Sequence, residues 1–171
     1  MNQNLLKKFT KQINMEYFSA FLYLAMADWL LQNGYVGAAH WMTVQYREEL
    51  VHAEGFYLYL QRIGAPVTLE ATEKPKKEFK SILNVFEEAL AHEKLITASI
   101  YEIVKEAEKA GDYAAQRFLD WYVMEQVEEE SNQNDNILGV QRAKDDVSAV
   151  LAFDNWLGQR VFNPSVIPYL V

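Results

Sequence analysis

The chain contains no cysteine at all. That removes disulfides, zinc knuckles, thiolate nucleophiles and cysteine-ligated iron sites in one step. It is compatible with a reducing compartment. Glycine and proline are scarce, seven and four in 171 residues, so few positions interrupt regular structure. No lysine/arginine run exceeds Lys7-Lys8 or Lys76-Lys77, so the basic stripe that nucleic acid demands is missing. No apolar run is long enough for a membrane either. The best stretch, Phe18 to Ala27, is broken by Ser19 and Tyr23 and ends at Asp28. Met1 to Lys11 is polar and lacks the apolar centre of a signal peptide. These features lead us to expect a soluble, cytoplasmic protein that binds neither nucleic acid nor membrane.

Half of the residues are apolar, and the formal net charge is −8, from 24 acids against 16 bases. Such a balance suits a compact helical domain rather than disorder. The acidity reads equally as solubility or as attraction for cations. The length suits one domain spanning residues 1–171.

Apolar periodicity predicts four long helices and a short fifth. The first runs from about Gln3 to Gln32 and stops at Asn33-Gly34, a turn pair. The second runs from about Val36 to Arg62, before Gly64. The third starts near Lys76, after Pro75, and ends at Gly111. The fourth follows Asp112, a suitable N-cap, and reaches about Val140. The fifth spans about Asp145 to Gln159, with Asp145 and Asp146 at its start and an apolar tail, 161–171, beyond it. Two tight joints make helices one and two, and three and four, antiparallel neighbours. The joint between them, Gly64 to Pro75, is about a dozen residues and reaches roughly 40 Å when extended. A helix of about 27 residues is roughly as long. The expected fold is therefore all-α: a four-helix bundle over about 3–140, with one long crossover between helices two and three.

Each long helix carries polar residues inside its apolar stripe. Helix one shows Phe9, Ile13, Glu16, Ala20, Tyr23 and Ala27; helix two shows Trp41, Gln45, Glu49, His52 and Phe56. Helix three shows Phe86, Ala89, Glu93, Thr97 and Ile100; helix four shows Leu119, Tyr122, Gln126, Glu129 and Gln133. The spacing from Glu16 to Glu49 is 33 residues, and that from Glu93 to Gln126 is also 33. Glu49-x-x-His52 in one hairpin is matched by Gln126-x-x-Glu129 in the other, so a pseudo-twofold packing brings all six side chains to one level. Any single one of these acids is explained by partial exposure or by a Lys or Arg partner. The set is not, because the stripes carry no Lys or Arg. Several buried carboxylates cost several kcal/mol each unless protonated or neutralised. Two divalent cations neutralise four carboxylates, and oxygen donors with one imidazole suit iron or manganese better than structural zinc.

On these residues the chain resembles bacterial non-haem ferritin, a member of the ferritin-like di-iron family. The resemblance rests on Glu16-x6-Tyr23, Glu49-x-x-His52, Glu93 and the run Trp121-Tyr122-Val123-Met124-Glu125-Gln126-Val127-Glu128-Glu129-Glu130, and it covers roughly residues 1–140. It implies a 24-subunit hollow shell that oxidises Fe(II) with dioxygen or peroxide and stores ferric mineral inside. By position, Glu16, Glu49 and His52 would bind a first iron, and Glu49, Glu93 and Glu129 a second, with Gln126 nearby. Tyr23 would hydrogen-bond the site and take part in electron transfer, and Trp121 would shield it. The bacterial type adds a third iron site, matched by Glu48, Glu125, Glu128 and Glu129.

Related families fit less well. Bacterioferritins carry a second Glu-x-x-His where this chain has Gln126-x-x-Glu129, and a haem-binding methionine where it has Leu50, so no haem is expected. Rubrerythrins need cysteine, and mini-ferritins place their site between subunits. The tail from Phe162 to Val171 does not match the family and is expected to pack on something, such as a neighbouring subunit. His40 and His92 are expected at the surface or an interface, Met15, Met26 and Met124 in packing, and Glu108 and Asp112 near an iron channel by analogy. A di-iron oxygenase or peroxidase, or a metal-free helical interaction module, remains as an alternative.

Overall fold

A computed structural model describes residues 1–144, 146–164 and 167. Among these, helices are the only regular elements: α1 (Gln3–Gln32), α2 (Val36–Arg62), α3 (Ile82–Ala110), α4 (Tyr113–Ala143) and α5 (Val147–Leu157). The turn chemistry is local. Asn2 caps α1 by accepting from the Leu5 amide at 2.8 Å. Gly34 and Gly111 turn the chain at φ 85° and 63°, a left-handed region that side chains avoid. Asp112 then caps α4 by accepting from the Ala115 amide. The resulting hairpins, α1–α2 and α3–α4, pack together through α1 and α3, and α5 lies against α2 and α4. No helix among the described residues is long and apolar enough to cross a membrane.

The start of α3 departs furthest from the sequence expectation, while α4 runs on to Ala143 and α5 is shorter, Val147–Leu157. Helix α3 begins at Ile82 and not near Lys76. Its start is fixed by a reciprocal pair: Ser81 Oγ accepts from the Asn84 amide, and Asn84 Oδ1 accepts from the Lys80 amide. Just before it, Phe79 leaves the chain axis to bury its ring edge-on to Trp29. The crossover is consequently longer than a dozen residues, and it does run the length of the bundle. Ala65 and Val67 rest on the apolar cluster at one end, built around Leu5, Phe9, Phe56 and Ile103. Midway, Asn14 of α1 accepts from the Glu70 amide and donates to the Thr68 carbonyl. Phe79 joins the cluster at the other end, built around Met26, Leu30, Trp41 and Phe86.

The two apolar clusters are the source of stability, at roughly 1.5–3 kcal/mol for each fully buried large side chain. Phe9, Phe56, Phe118, Tyr59 and Tyr122 interlock at ring-centroid distances of 4.2–5.9 Å. Between the clusters lies a belt of buried polar side chains from all four long helices: Gln12, Glu16, Ser19, Gln45, Glu49, His52, Glu93, Gln126, Glu129 and Gln133. The bundle is oily at both ends and acidic at its waist.

Helix α5 is held by α2. Asp154 accepts from the amides of Gly37 and Ala38 at 2.9 and 2.8 Å, satisfying the first turn of α2, which has no side-chain cap of its own. The approach is so close that a β-carbon on Gly37 would run into the Asp154 carbonyl. Asp146 caps α5 through the Ser148 and Ala149 amides; the other acid expected there, Asp145, lies outside the described residues. Of the apolar tail, Phe162 to Pro164 and Ile167 are described. Ile167 is buried against its own bundle, its Cδ1 filling the space that the missing side chain of Gly55 leaves open.

Candidate metal centre

Glu16, Glu49, His52, Glu93, Gln126 and Glu129 are each at most 3% exposed. They are brought there by the helical period alone, which turns every third or fourth residue to one face. Ligand atoms of Glu16, Glu49 and His52 lie within 4.8 Å of one another, and so do those of His52, Glu125 and Glu129. His52 sits between the two groups. Its Nδ1 is 3.4 Å from Glu49 Oε2 and its Nε2 is 3.7 Å from Glu125 Oε1. Glu93 stands opposite. Its carboxylate accepts from the Tyr23 hydroxyl and, at 3.1 Å, from the Gln126 amide. Trp121 closes one side, with its ring 5.6 Å from the His52 ring, and the Tyr122 hydroxyl donates to the His52 carbonyl.

The remaining sequence candidates are drawn together less completely. Glu48 is engaged by Arg160. Glu128 is exposed and lines, with Glu48, Glu125, Glu129 and Arg160, a cavity of about 530 Å³ beside the centre. His92 is half-buried, 2.7 Å from Ser19 Oγ, with its ring against Phe18 and Tyr23. Met124 does not pack within the subunit but is 66% exposed, because it sits two positions from Gln126 and so faces the opposite way. His40 is exposed, as expected. Asp112 caps α4 and pairs with the amino terminus at 3.6 Å.

Three supporting residues were not among the expected site residues, although Gln45 stands on the helix-two stripe. Gln12 donates to Glu16 Oε1 at 2.8 Å. Gln45, recognised only as polar, donates to Glu129 Oε2 at 2.6 Å. Arg160 comes from beyond the last helix.

Charge explains the titration of the group. Burial raises Glu16 and Glu129 well above the ordinary carboxylate range, reinforced by Glu49 for the first and by Glu93 for the second. Glu93 is raised to about 8, by burial and then by Glu49. Burial also acts against the charged forms of Glu49 and His52, but their mutual attraction outweighs it: Glu49 is lowered and His52 is raised well above its usual value. Burial thus favours the protonated forms of Glu16, Glu93 and Glu129, while Glu49 and His52 favour each other's charged forms. Among the described residues no Lys or Arg is buried with them. Glu16 Oε2 and His52 Nε2 are buried without a hydrogen-bond partner. Buried polar atoms left open in this way, in a set of hard oxygen donors with one imidazole, suit divalent iron or manganese.

The Ferritin-like domain family model matches residues 6–142. The chain belongs to the ferritin-like family. The bacterial non-heme ferritin of Staphylococcus aureus (strain USA300) is 36% identical over 163 residues, covering 95% of this chain and 98% of its own length. A probable bacterial non-heme ferritin-like protein of Haemophilus influenzae is 40% identical over 130 residues, 76% of this chain and 79% of its own. Among solved structures, an engineered closed form of the Archaeoglobus fulgidus ferritin superposes with a TM-score of 0.93 at 37% identity, covering 95% of this chain and 99% of that one. A humanized archaeal ferritin gives 0.94 at 36% identity, with coverages of 96% and 99%.

Proposed function

We propose that this chain is an iron-storage subunit that oxidises Fe(II) at the waist of its own bundle and passes Fe(III) to a mineral held inside a 24-subunit shell in the cytoplasm. One observation carries this reading: four carboxylates and one histidine converge in a belt where, among the described residues, no Lys or Arg is buried to neutralise them. Such a belt is stable with protons or with cations, and exchanges one for the other.

In this reading Glu16, Glu49 and His52, whose ligand atoms cluster, hold one iron, and Glu49, Glu93 and Glu129, buried beside them, the other, with Gln126 close to Glu93. Each Fe(II) gives one electron to dioxygen or peroxide, and the carboxylates favour the ferric product because more negative charge stabilises the higher ion charge. Gln12 and Gln45 hold Glu16 and Glu129 by donating to them, so each presents its other oxygen. The Tyr23 hydroxyl, bonded to Glu93, stands where it can pass a proton or an electron, and Trp121 covers His52. Glu48, Glu125, Glu128 and Glu129, at the adjoining cavity, form a third iron site on the way out. Iron and the oxidant are the substrates and other copies of this chain the partners; neither nucleic acid nor membrane has a part.

Rapid mixing of the metal-free protein with Fe(II) and oxygen tests the proposal. The protein is expected to oxidise iron far faster than a Glu49→Ala, His52→Ala double variant, which falls to the rate in protein-free buffer. Equal rates would sink it.

A further inference from the structure

Arg160 lies three residues beyond the end of α5, yet it reaches the mouth of the metal centre. Its carbonyl is 2.8 Å from His40 Nε2. Its guanidinium lies over the Trp41 ring, 4.1 Å from the centroid. One Nη donates to Gln45 Oε1 at 2.7 Å and the other to Glu48 Oε2 at 2.5 Å. The Arg160 and Glu48 side chains are only 18% and 14% exposed. Gln45 in turn gives its amide N–H to Glu129 Oε2 at 2.6 Å. A continuous chain of contacts therefore runs from Arg160 through Gln45 to a carboxylate of the buried belt, and a branch of it occupies Glu48 in the cavity.

We propose that Arg160 is a cationic latch on the outlet of the metal centre: its guanidinium occupies Glu48 in place of a metal ion, and a divalent cation arriving in the cavity displaces it and frees Gln45 and Glu129. The inference rests on the reading of the waist as an iron site, and adds to it the residue that controls passage out. The physical argument is competition. A guanidinium keeps its charge at any pH the protein meets, so it leaves Glu48 by moving and not by losing a proton. A divalent ion approaching Glu48 is repelled by the guanidinium already on that carboxylate in a half-buried cavity, so the two cations compete for it. Because Gln45 accepts from Arg160 and donates to Glu129, losing the first contact frees the amide to turn and loosens the second. Arg160 is a positioning residue, acting on the substrate ion through Glu48 and Gln45.

Zinc serves as a redox-inert probe, with affinity read by calorimetry and position by anomalous diffraction from soaked crystals. Removing the competing charge in Arg160→Gln is expected to tighten zinc in the cavity about tenfold while leaving zinc at Glu16, Glu49 and His52 unchanged. In the unmodified protein, zinc in the cavity is expected to coincide with Arg160 swung away from Glu48. Arg160→Lys keeps the charge but loses the two-pronged grip on Gln45 and Glu48, and is expected to bind cavity zinc with an affinity between the other two. That variant carries the test should Arg160→Gln melt early. The latch is overturned by equal cavity affinity in all folded variants, by cavity zinc with Arg160 still on Glu48, or by no cavity zinc in any of them. Absence of zinc from Glu16, Glu49 and His52 would instead defeat the underlying iron-site reading, and the same crystals distinguish the two.

Discussion

Individual side chains at the waist are poised between protons and metal. Glu16, Glu93, Glu129 and His52 all bind protons more tightly in the folded chain than in the unfolded one. A fold that holds more protons loses stability as pH rises. The metal-free protein should therefore become less stable from near the ordinary carboxylate value of 4.5 up to about 8, the value for Glu93. Glu49 works in the other direction, since its contribution is present above 4.5 and is lost only as pH falls below it. Calorimetric melts in chelator at pH 5, 6.5 and 8 should show a falling melting temperature, and Glu93→Gln should flatten that fall. Each tenfold difference in proton affinity is worth about 1.4 kcal/mol. A melting temperature that climbs across that range would contradict the argument. Saturating divalent metal should erase the slope and add about 2.7 kcal/mol at a hundred times its dissociation constant.

The residues that meet at the waist were legible because a carboxylate inside an apolar stripe is conspicuous and the 33-residue spacing repeats. Their helpers were not. Gln12 and Gln45 are unremarkable amides until their partners are known. Arg160 follows the last periodic segment, where no pattern says which way a side chain turns.

Among the helices, the boundaries that depend on neighbouring residues were readable and those that depend on distant ones were not. Asn33-Gly34 and Gly111-Asp112 are self-contained turn signals, and α1 and α3 end, and α2 and α4 begin, where they imply. The start of α3 was misplaced because Phe79 is drawn to Trp29, a contact across the bundle. The capping of α2 by Asp154 is invisible to any local rule for the same reason. Replacing Asp154 with Ala removes two hydrogen bonds from buried amides and should cost about 1–3 kcal/mol, measured by denaturant titration. Gly37→Ala should lever α5 off α2 and expose the following segment to limited proteolysis, because the new methyl meets backbone and not a flexible side chain. Cleavage no faster than in the unmodified protein would show that α5 tolerates the shift.

The entire subunit presents apolar side chains that its own core does not need. Tyr113 is 77% exposed, Met124 66%, Val36 62% and Leu95 65%. Surfaces of this kind suit contacts between copies. If twenty-four subunits of 19.8 kDa close into a shell, light scattering coupled to gel filtration should return 24 times that mass, and a monomer or dimer would refute the storage reading while leaving the buried centre intact.

The bond from Asp154 to the start of α2 also has a consequence in time. Those two amides belong to positions 37 and 38, and their acceptor lies 117 and 116 residues later in the chain. At about 5–20 residues per second, a ribosome needs roughly 6–23 seconds to cover that distance. Throughout that interval the growing chain carries its first hairpin with one end unsealed. A polypeptide whose translation stops short of Asp154 never closes it, so unfinished products differ from finished ones at a place a protease can reach.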